Sequence, residues 1–250
     1  MIRILLSGCN GAMGRVICAA AHEREGIEIV AGIDPNTQAA ATFPVFAAPA
    51  DCDVAADVII DFSHPAACAP LLAYATSKNI PVVVATTGLG EEQIHLVNET
   101  AKILPVFFSW NMSLGINLML ELCKTATRVL GREFDIEIIE KHHNKKIDAP
   151  SGTAFMLANS IADEFENPPR YEFDRHSKRQ CRTKDEIGIH AVRGGTIVGE
   201  HDVVFAGRDE LLTISHSARS KEIFATGAIS AAEFLCGKPA GLYSMADMIK

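Results

Sequence analysis

The sequence has no long uninterrupted apolar run. Its longest apolar stretches, such as residues 54–60, are interrupted by aspartate. They are also far shorter than the roughly 20 apolar residues that a membrane-spanning helix needs. The first residues show no basic segment followed by an apolar region and a cleavage site, which is the pattern of a secretory signal. We therefore expect a soluble, cytoplasmic protein without a membrane partner.

Positive charge is also scarce. The chain has 23 lysine and arginine residues against 31 aspartate and glutamate residues, and its formal net charge is −8. Nucleic-acid-binding domains are usually basic, so this balance argues against a nucleic-acid partner. A local basic cluster in such a chain is better suited to a small anion.

The seven cysteines form no recognisable set. They are odd in number and scattered, and no pair has the spacing of a metal or redox site. We expect reduced cysteines in the core, and no metal site. The hydrophobic fraction of 48% and the charged fraction of 22% are ordinary for a globular protein of one large or two modest domains.

The chain opens with an apolar, β-branched run followed by a glycine-rich turn. Gly8, Gly11 and Gly14 lie in this turn, a helical pattern follows, and a second apolar run ends at Asp34. In a dinucleotide-binding unit such glycines allow a tight turn, a close approach to the pyrophosphate and close helix packing. The acidic residue accepts hydrogen bonds from a ribose hydroxyl. The spacing G-x-x-G-x-x-G is a weak signal alone, but strand, helix and Asp34 in register favour cofactor binding.

Further strands and helices alternate along the first half of the chain. This order predicts an α/β fold with an open, Rossmann-type parallel sheet. Ligands bind such sheets outside the carboxyl ends of the strands, where one crevice can reach all of the loops. These loops are residues 8–13, Asp34, 61–65, 85–88 and 109–112.

The pattern changes after residue 112. Helices are predicted over residues 114–130 and 154–165, and strands over 134–139, 187–193, 196–206 and 211–216. The last three strands are joined by glycine-containing segments typical of hairpins, and residues 167–185 are predicted to form a polar surface loop. The second half therefore predicts an α+β domain with a mixed or antiparallel sheet. A final helix is expected over residues 222–236, with a tail that returns to the first domain.

The most informative segment is E-K-H-H-N-K-K-I-D-A-P-S-G-T-A, residues 140–154. It joins a strand to a helix, with Ser151 or Thr153 available as the helix cap. The unpaired N–H groups of a helix N-terminus suit a carboxylate or phosphate, and the imidazoles and ammonium groups upstream can bind anions and transfer protons. By itself, H-H-N-K-K is more typical of a solvated basic surface. An adjacent histidine pair can also bind metal, but no recognisable ligand set accompanies it.

This segment resembles the signature of the 4-hydroxy-tetrahydrodipicolinate reductase (dihydrodipicolinate reductase) family. The resemblance covers nearly the whole chain, including residues 8–14, 61–63, 86–88, 111–117, 193–195, 199–201 and 224–228. It implies an NAD(P)H-dependent oxidoreductase of lysine biosynthesis by the diaminopimelate route, and a homotetramer. It also implies a dinucleotide-binding domain over residues 1–112, completed by 221–250, and a substrate-binding and oligomerisation domain over 113–220.

The resemblance also implies roles for particular residues. His142 would be the catalytic acid/base and Lys146 a proton donor, while His143, Gly152 and Thr153 would bind the substrate. The implied cofactor contacts are Gly8, Cys9, Asn10, Gly11, Ala12, Met13, Asp34, Ala85, Thr86, Thr87, Ser109, Trp110, Asn111 and Met112. The substrate would be a cyclic imine dicarboxylate that loses water and accepts a hydride and a proton, with the hydride supplied by the nicotinamide.

Three residues depart from the family pattern. Ala85 replaces a usual glycine, Lys221 an expected arginine, and Pro35 the arginine that often follows the acidic residue. Without that arginine, Asp34 would repel the 2′-phosphate of NADPH, so we expect NADH to be preferred over NADPH.

Two other function classes share the first domain. One is a different nicotinamide enzyme acting on an amino or hydroxy acid, which would not need H-H-x-x-K before D-A-P-S-G-T. The other is a nucleotide-sensing protein, in which the His–Lys cluster would be a solvated surface. Nicotinamide oxidation with enzymatically generated 4-hydroxy-tetrahydrodipicolinate distinguishes all three.

Overall fold

The computed structural model describes residues 1–38 and 42–249. Its strands are β1 (Ile2–Ser7), β2 (Ile27–Ile33), β3 (Val45–Phe46), β4 (Val58–Asp61), β5 (Val82–Val84), β6 (Pro105–Phe108), β7 (Asp135–His142), β8 (Arg170–Glu172), β9 (Glu186–Arg193), β10 (Gly199–Ala206), β11 (Leu211–Ala218) and β12 (Gly241–Tyr243). Its helices are α1 (Ala12–His22), α2 (Cys68–Lys78), α3 (Glu91–Ala101), α4 (Leu114–Leu130), α5 (Gly152–Ala162), α6 (Glu222–Leu235) and α7 (Met245–Ile249). Within the described ranges, none of the helices is long and apolar enough to cross a membrane.

The chain divides into two compact units. The first comprises Met1–Leu114 and Lys221–Lys250, and the second comprises Gly115–Ser220. The first unit contains a parallel sheet of seven strands in the order β12-β6-β5-β4-β1-β2-β3. The strand order reverses between β1 and β4, which is the switch point where open α/β sheets bind ligands.

Both faces of the parallel sheet are buried, as the continuous apolar runs predict. Ile4 and Leu6 of β1 belong to a core completed by α1 and α6. Leu5, between them, belongs to a second core completed by α2 and α3. The strands end at one edge of the sheet, and the loops that follow their carboxyl ends carry polar residues.

The second unit contains a mixed sheet of five strands in the order β11-β10-β7-β9-β8. Central strand β7 runs parallel to β9 and antiparallel to β10. One face packs against α4 and α5 through residues such as Ile136, Ile138 and Leu157. Because side chains alternate along a strand, Glu140 and His142 continue this buried face to the end of β7.

The predicted combination of a Rossmann-type parallel sheet with a second α+β domain is confirmed. Two local predictions were wrong. The strands flanking Gly194 and Gly195 do not form a hairpin, because β7 lies between β9 and β10. The segment 167–185 is not entirely a loop, since Arg170–Glu172 pairs with the edge of β9. Both depend on backbone pairing between distant segments, which turn residues alone do not reveal.

Candidate functional site

The glycine-rich turn of the first unit has no room for side chains. Gly8 has φ +79°, and a Cβ there would lie 2.5 Å from the carbonyl oxygen of Phe62. A Cβ on Gly14 would lie 2.2 Å from the carbonyl oxygen of Gly8. The turn leads into α1, whose N-cap Gly11 makes no side-chain capping bond. The first backbone N–H groups of a helix have no partner within the helix and point beyond its N-terminus. They therefore suit the pyrophosphate of a dinucleotide.

Asp34 holds the other side of this turn. Its carboxylate accepts hydrogen bonds from the backbone N–H of Asn10 at 3.1 Å and of Asn36 at 3.0 Å. The guanidinium of Arg15 donates to the carbonyl oxygen of Asn10 at 2.8 Å. Asp34 is half-buried beside an exposed Pro35. The predicted ribose acceptor therefore lies against the glycine-rich turn, which the basic side chain of Arg15 also contacts.

A cavity of about 580 Å³ lies beside the same turn. Ten residues predicted to contact the cofactor line it: Gly11, Ala12, Met13, Ala85, Thr86, Thr87, Ser109, Trp110, Asn111 and Met112. Phe62, Ser63, Lys221 and Phe224 also line it and were not assigned as contacts from the sequence. Gly8, Cys9, Asn10 and Asp34 do not line this cavity. The predicted contacts of these four residues with the cofactor stay predictions. Gly8 and Cys9 are buried.

Asp61 is a buried residue that holds part of the cavity wall in place. It is 1% exposed and accepts hydrogen bonds from the hydroxyls of Ser63 at 2.5 Å and Thr86 at 2.7 Å. The Thr86 hydroxyl oxygen accepts in turn from the Ser63 backbone N–H at 2.9 Å. Burial raises the pKa of the Asp61 carboxyl. This network fixes two lining residues that come from different loops.

Glu140 is the centre of the second unit's site. It is fully buried, and its carboxylate accepts from Nδ1 of His142 at 2.6 Å and from the backbone N–H of Ser151 at 3.0 Å. Both terminal nitrogens of Arg193 donate to it at 2.7 Å. Burial alone would raise the pKa of Glu140, but the hydrogen bonds from Arg193 and His142 outweigh it, and the pKa lies below its usual value. The group is therefore a carboxylate.

A second histidine packs against the first. The rings of His142 and His201 meet edge to face with centroids 5.2 Å apart. A hydrogen bond of 2.9 Å joins Nε2 of His201 to Oγ of Ser151, which also accepts from the Ala154 backbone N–H and caps α5. Burial and the neighbouring His142 lower the pKa of His201 to about 4, so His201 is neutral near pH 7.

The loop after β7 carries the remaining predicted residues. The ammonium of Lys146 lies 2.9 Å from the Asp148 carboxylate, and this hydrogen bond holds the pKa of Asp148 below its usual value. Nδ1 of His143 is buried and has no hydrogen-bond partner among the described residues. Gly152 and Thr153 form the first turn of α5, directly after its cap Ser151. All five predicted catalytic and substrate-binding residues thus lie in one strand–loop–helix segment.

No catalytic or binding role was predicted from the sequence for Glu140, Ser151, Arg193 or His201, and Ser151 was predicted only as a candidate helix cap. Side chains alternate between the two faces of a strand. The sequence could therefore have placed Glu140 on the same face as His142. Arg193 is the register partner of His142 in β9, and His201 is the register partner of Glu140 in β10. Those two contacts depend on strand order, which the sequence did not reveal. Among the described residues, no group of three or more histidine, cysteine, aspartate or glutamate side chains is placed to hold a metal ion.

Comparison with known proteins identifies the family of this chain. Family models described as dihydrodipicolinate reductase, N-terminus and C-terminus, match residues 2–112 and 115–249. The chain is 52% identical over 250 residues to the 4-hydroxy-tetrahydrodipicolinate reductase of Caldanaerobacter subterraneus subsp. tengcongensis, covering 100% of this chain and 99% of the relative. It is 48% identical to the enzyme of the same name from Clostridium novyi, with the same coverage of 100% and 99%. The structure of dipicolinate-bound dihydrodipicolinate reductase from Paenisporosarcina sp. TG-14 matches with a TM-score of 0.83 at 26% identity, covering 100% of both chains. The chain therefore belongs to the dihydrodipicolinate reductase family.

Proposed function

We propose that this chain reduces 4-hydroxy-tetrahydrodipicolinate to tetrahydrodipicolinate with loss of water, using a reduced nicotinamide cofactor, in cytoplasmic lysine biosynthesis. The observation that carries the proposal is the strand–loop–helix segment of residues 140–154. It joins an imidazole bonded to a buried carboxylate, a lysine and a helix N-terminus within one unit. We assign cofactor binding to the first unit and substrate binding to the second.

The first unit fits a dinucleotide. A Cβ on Gly8 or Gly14 would clash with backbone atoms, so the turn keeps its backbone accessible at the start of α1. Asp34 beside the turn supplies acceptors for ribose hydroxyls. The lined cavity next to it suits the nicotinamide half. The bound nicotinamide would supply the hydride.

The second unit fits a dianion. Backbone N–H groups of Gly152 and Thr153 at the start of α5 suit one carboxylate, because a helix N-terminus carries partial positive charge. His143, Lys145 and Lys146 lie in the preceding loop and supply further donors. The buried Nδ1 of His143 supports a role in binding, since a substrate group would satisfy it.

His142 and Lys146 are the assigned proton donors. Hydride addition makes the substrate nitrogen and neighbouring carbon electron-rich, so an acid must stand beside the ring. Nδ1 of His142 is engaged by Glu140, which leaves Nε2 for proton exchange. The Lys146 ammonium is held in the same loop by Asp148. The assay is oxidation of the reduced nicotinamide in the presence of enzymatically generated 4-hydroxy-tetrahydrodipicolinate. Cofactor binding without turnover would instead favour a nucleotide-sensing protein.

The helix entry gives a sharp test of carboxylate binding. Gly152→Pro should raise KM for the substrate at least tenfold, because proline has no N–H to donate. The fold should accept the change, since proline is favoured at the first helical position and Ser151 already has φ −69° and ψ 153°.

The matched control is Gly152→Ala, which keeps the N–H and whose Cβ would meet nothing within 4 Å. Gly152→Ala and Thr153→Ala should each change KM for the substrate only mildly. Equal and mild effects of Gly152→Pro and Gly152→Ala would show that this helix entry does not bind the carboxylate.

Cofactor preference follows from the surroundings of Asp34. Its charge would repel a 2′-phosphate, and Pro35, Asn36, Thr37 and Gln38 after it carry no positive charge. We propose that NADH is preferred over NADPH. Pro35→Arg should lower the ratio of kcat/KM for NADH to kcat/KM for NADPH roughly tenfold, or by about 1.4 kcal/mol.

The measurement is kcat/KM for both cofactors. Arg15 is a basic side chain held at this turn by its bond to Asn10, so Arg15→Ala is the companion variant. We expect it to widen the preference for NADH. Parity of the two cofactors in the unmodified enzyme would contradict the argument from Pro35 while leaving the family's reaction in place.

We also propose a homotetramer assembled through the second unit. On the sheet face away from α4 and α5, Val192 and Leu211 are 46% and 72% exposed. Apolar residues exposed on a sheet face can be covered at an interface between copies. Light scattering should give four times the chain mass of 26.9 kDa; a monomer would contradict the proposal.

A further inference from the structure

Every hydrogen-bonding position of the Glu140 carboxylate is occupied by a donor. One oxygen accepts from His142 and Arg193, and the other accepts from Arg193 and the Ser151 N–H. A buried carboxylate stays ionised when it is paired and fully hydrogen-bonded. A carboxylate oxygen has no proton to give, so the hydrogen on the 2.6 Å bond belongs to Nδ1 of His142.

We propose that Glu140 is the positioning residue of His142. It selects the Nδ1–H tautomer of the neutral ring, stabilises the protonated ring, and thereby makes Nε2 the atom that gives a proton to the substrate. This inference rests on the proposed function and deepens it. The arrangement follows general chemistry: an imidazole bonded through one nitrogen to a carboxylate presents the other nitrogen in a fixed orientation.

The contacts show more than a structural ion pair. Arg193 alone already neutralises Glu140 with a two-pronged pair, yet His142 shares the same carboxylate at 2.6 Å. The bond from Ser151 connects Glu140 to the residue that caps α5. One carboxylate therefore fixes both the proton donor and the start of the helix assigned to carboxylate binding.

The opposite side of the His142 ring is shaped by Gly199. A Cβ there would lie 3.0 Å from Nε2 of His142, closer than nearly all real contacts. The missing side chain keeps a Cβ away from Nε2 on the side of β10. Glu140 holds the ring from one nitrogen, and Gly199 leaves space at the other.

The charged and titratable groups around His142 come from each neighbouring element. Glu140 lies on its own strand, Arg193 on β9 and His201 on β10, while Lys146 and Asp148 lie in the following loop. His201 is neutral near pH 7 because burial lowers its pKa. Glu140 is thus the anion in direct contact with the ring, and Glu140→Gln removes that charge while keeping the side-chain shape.

The first experiment uses the unmodified enzyme. Nitrogen-15 NMR of histidine-labelled protein, with His142→Asn to assign the resonance, should show the neutral His142 ring protonated on Nδ1. A ring protonated on Nε2, or an equal mixture of tautomers, would overturn the proposal. This readout requires no substrate, so it remains decisive even when the proposed reaction is not observed.

The second experiment compares Glu140→Gln with Glu140→Asp. The glutamine should lower kcat by roughly a hundredfold or more, because its amide favours the wrong tautomer. Glu140→Asp keeps the carboxylate that accepts from Nδ1 of His142 and should give intermediate turnover.

Two controls separate positioning from folding. NADH affinity, measured by fluorescence, and the circular dichroism spectrum should be unchanged in Glu140→Gln. Normal turnover in Glu140→Gln would overturn the proposal. Should Glu140→Gln fail to fold, Glu140→Asp and the tautomer of the unmodified enzyme decide. Failure of the unmodified enzyme to oxidise NADH with the substrate would instead contradict the proposed function.

Discussion

Replacing His142 or Lys146 by glutamine should lower kcat by roughly two to four orders of magnitude, the effect expected for loss of a positioned acid. His142 is 8% exposed and held by Glu140, and Lys146 is held by Asp148, so both groups are fixed before the substrate arrives. Steady-state kinetics with saturating cofactor and substrate measures the loss. Cofactor affinity should be unchanged, because the residues assigned to the cofactor lie in the other unit.

Lys145→Gln provides the matched control. Lys145 adjoins Lys146, carries the same charge and is exposed. If charge near the loop were the whole effect, Lys145→Gln and Lys146→Gln would lower kcat equally. We expect Lys145→Gln to act mainly on KM, and less than tenfold. Near-normal turnover in either His142→Gln or Lys146→Gln would remove that residue from the proton-transfer step.

Gly227→Ala should destabilise the first unit strongly. A Cβ at Gly227 of α6 would lie 1.7 Å from the carbonyl oxygen of Met112, and 2.9 Å from its carbonyl carbon. Backbone atoms cannot move aside as a flexible side chain can, so the helix or the loop must shift. We expect the thermal midpoint to fall by about 5–15 °C, which corresponds to roughly 2–4 kcal/mol in a chain of this size. NADH affinity should fall too, because Met112 lines the cavity.

Gly152→Ala is the control for this prediction. It makes the same change at the first residue of α5, but its Cβ would meet nothing within 4 Å. Alanine is also the better helix former, so the thermal midpoint should stay the same or rise slightly. Thermal melting followed by circular dichroism compares the two variants directly. Equal midpoints would show that α6 can shift away from Met112 at little cost.

The sequence alone predicted much of the first unit, because its signals are local. Apolar runs of strand length alternate with helical patterns, and each run ends in a glycine or polar residue. Helix α4 has the predicted bounds of residues 114–130. In a parallel sheet with both faces buried, such runs leave few alternatives. The carboxyl-end rule then predicted the loops that line the cavity, and the family resemblance implied ten of the lining residues as cofactor contacts.

The second unit was harder, because its sheet depends on long-range pairing. Glycines 194 and 195 have the composition of a hairpin turn, yet the strands on either side are separated by β7. The three-residue strand β8 has no apolar pattern and exists through its pairing with β9. Periodicity reports which face of a strand is buried, and it does not report which strand lies beside it.

The sequence by itself determined the two classes of sheet, the glycine-rich turn with Asp34, and the segment with His142, Lys146 and the helix entry. Only the tertiary structure decided what surrounds His142. Arg193 follows it by 51 residues and His201 by 59, and both reach the site because β9 and β10 flank β7. Glu140 is the first residue of the signature segment, but its role depends on these neighbours. A carboxylate in a sequence has no particular chemistry until the fold buries it and supplies its hydrogen-bond donors.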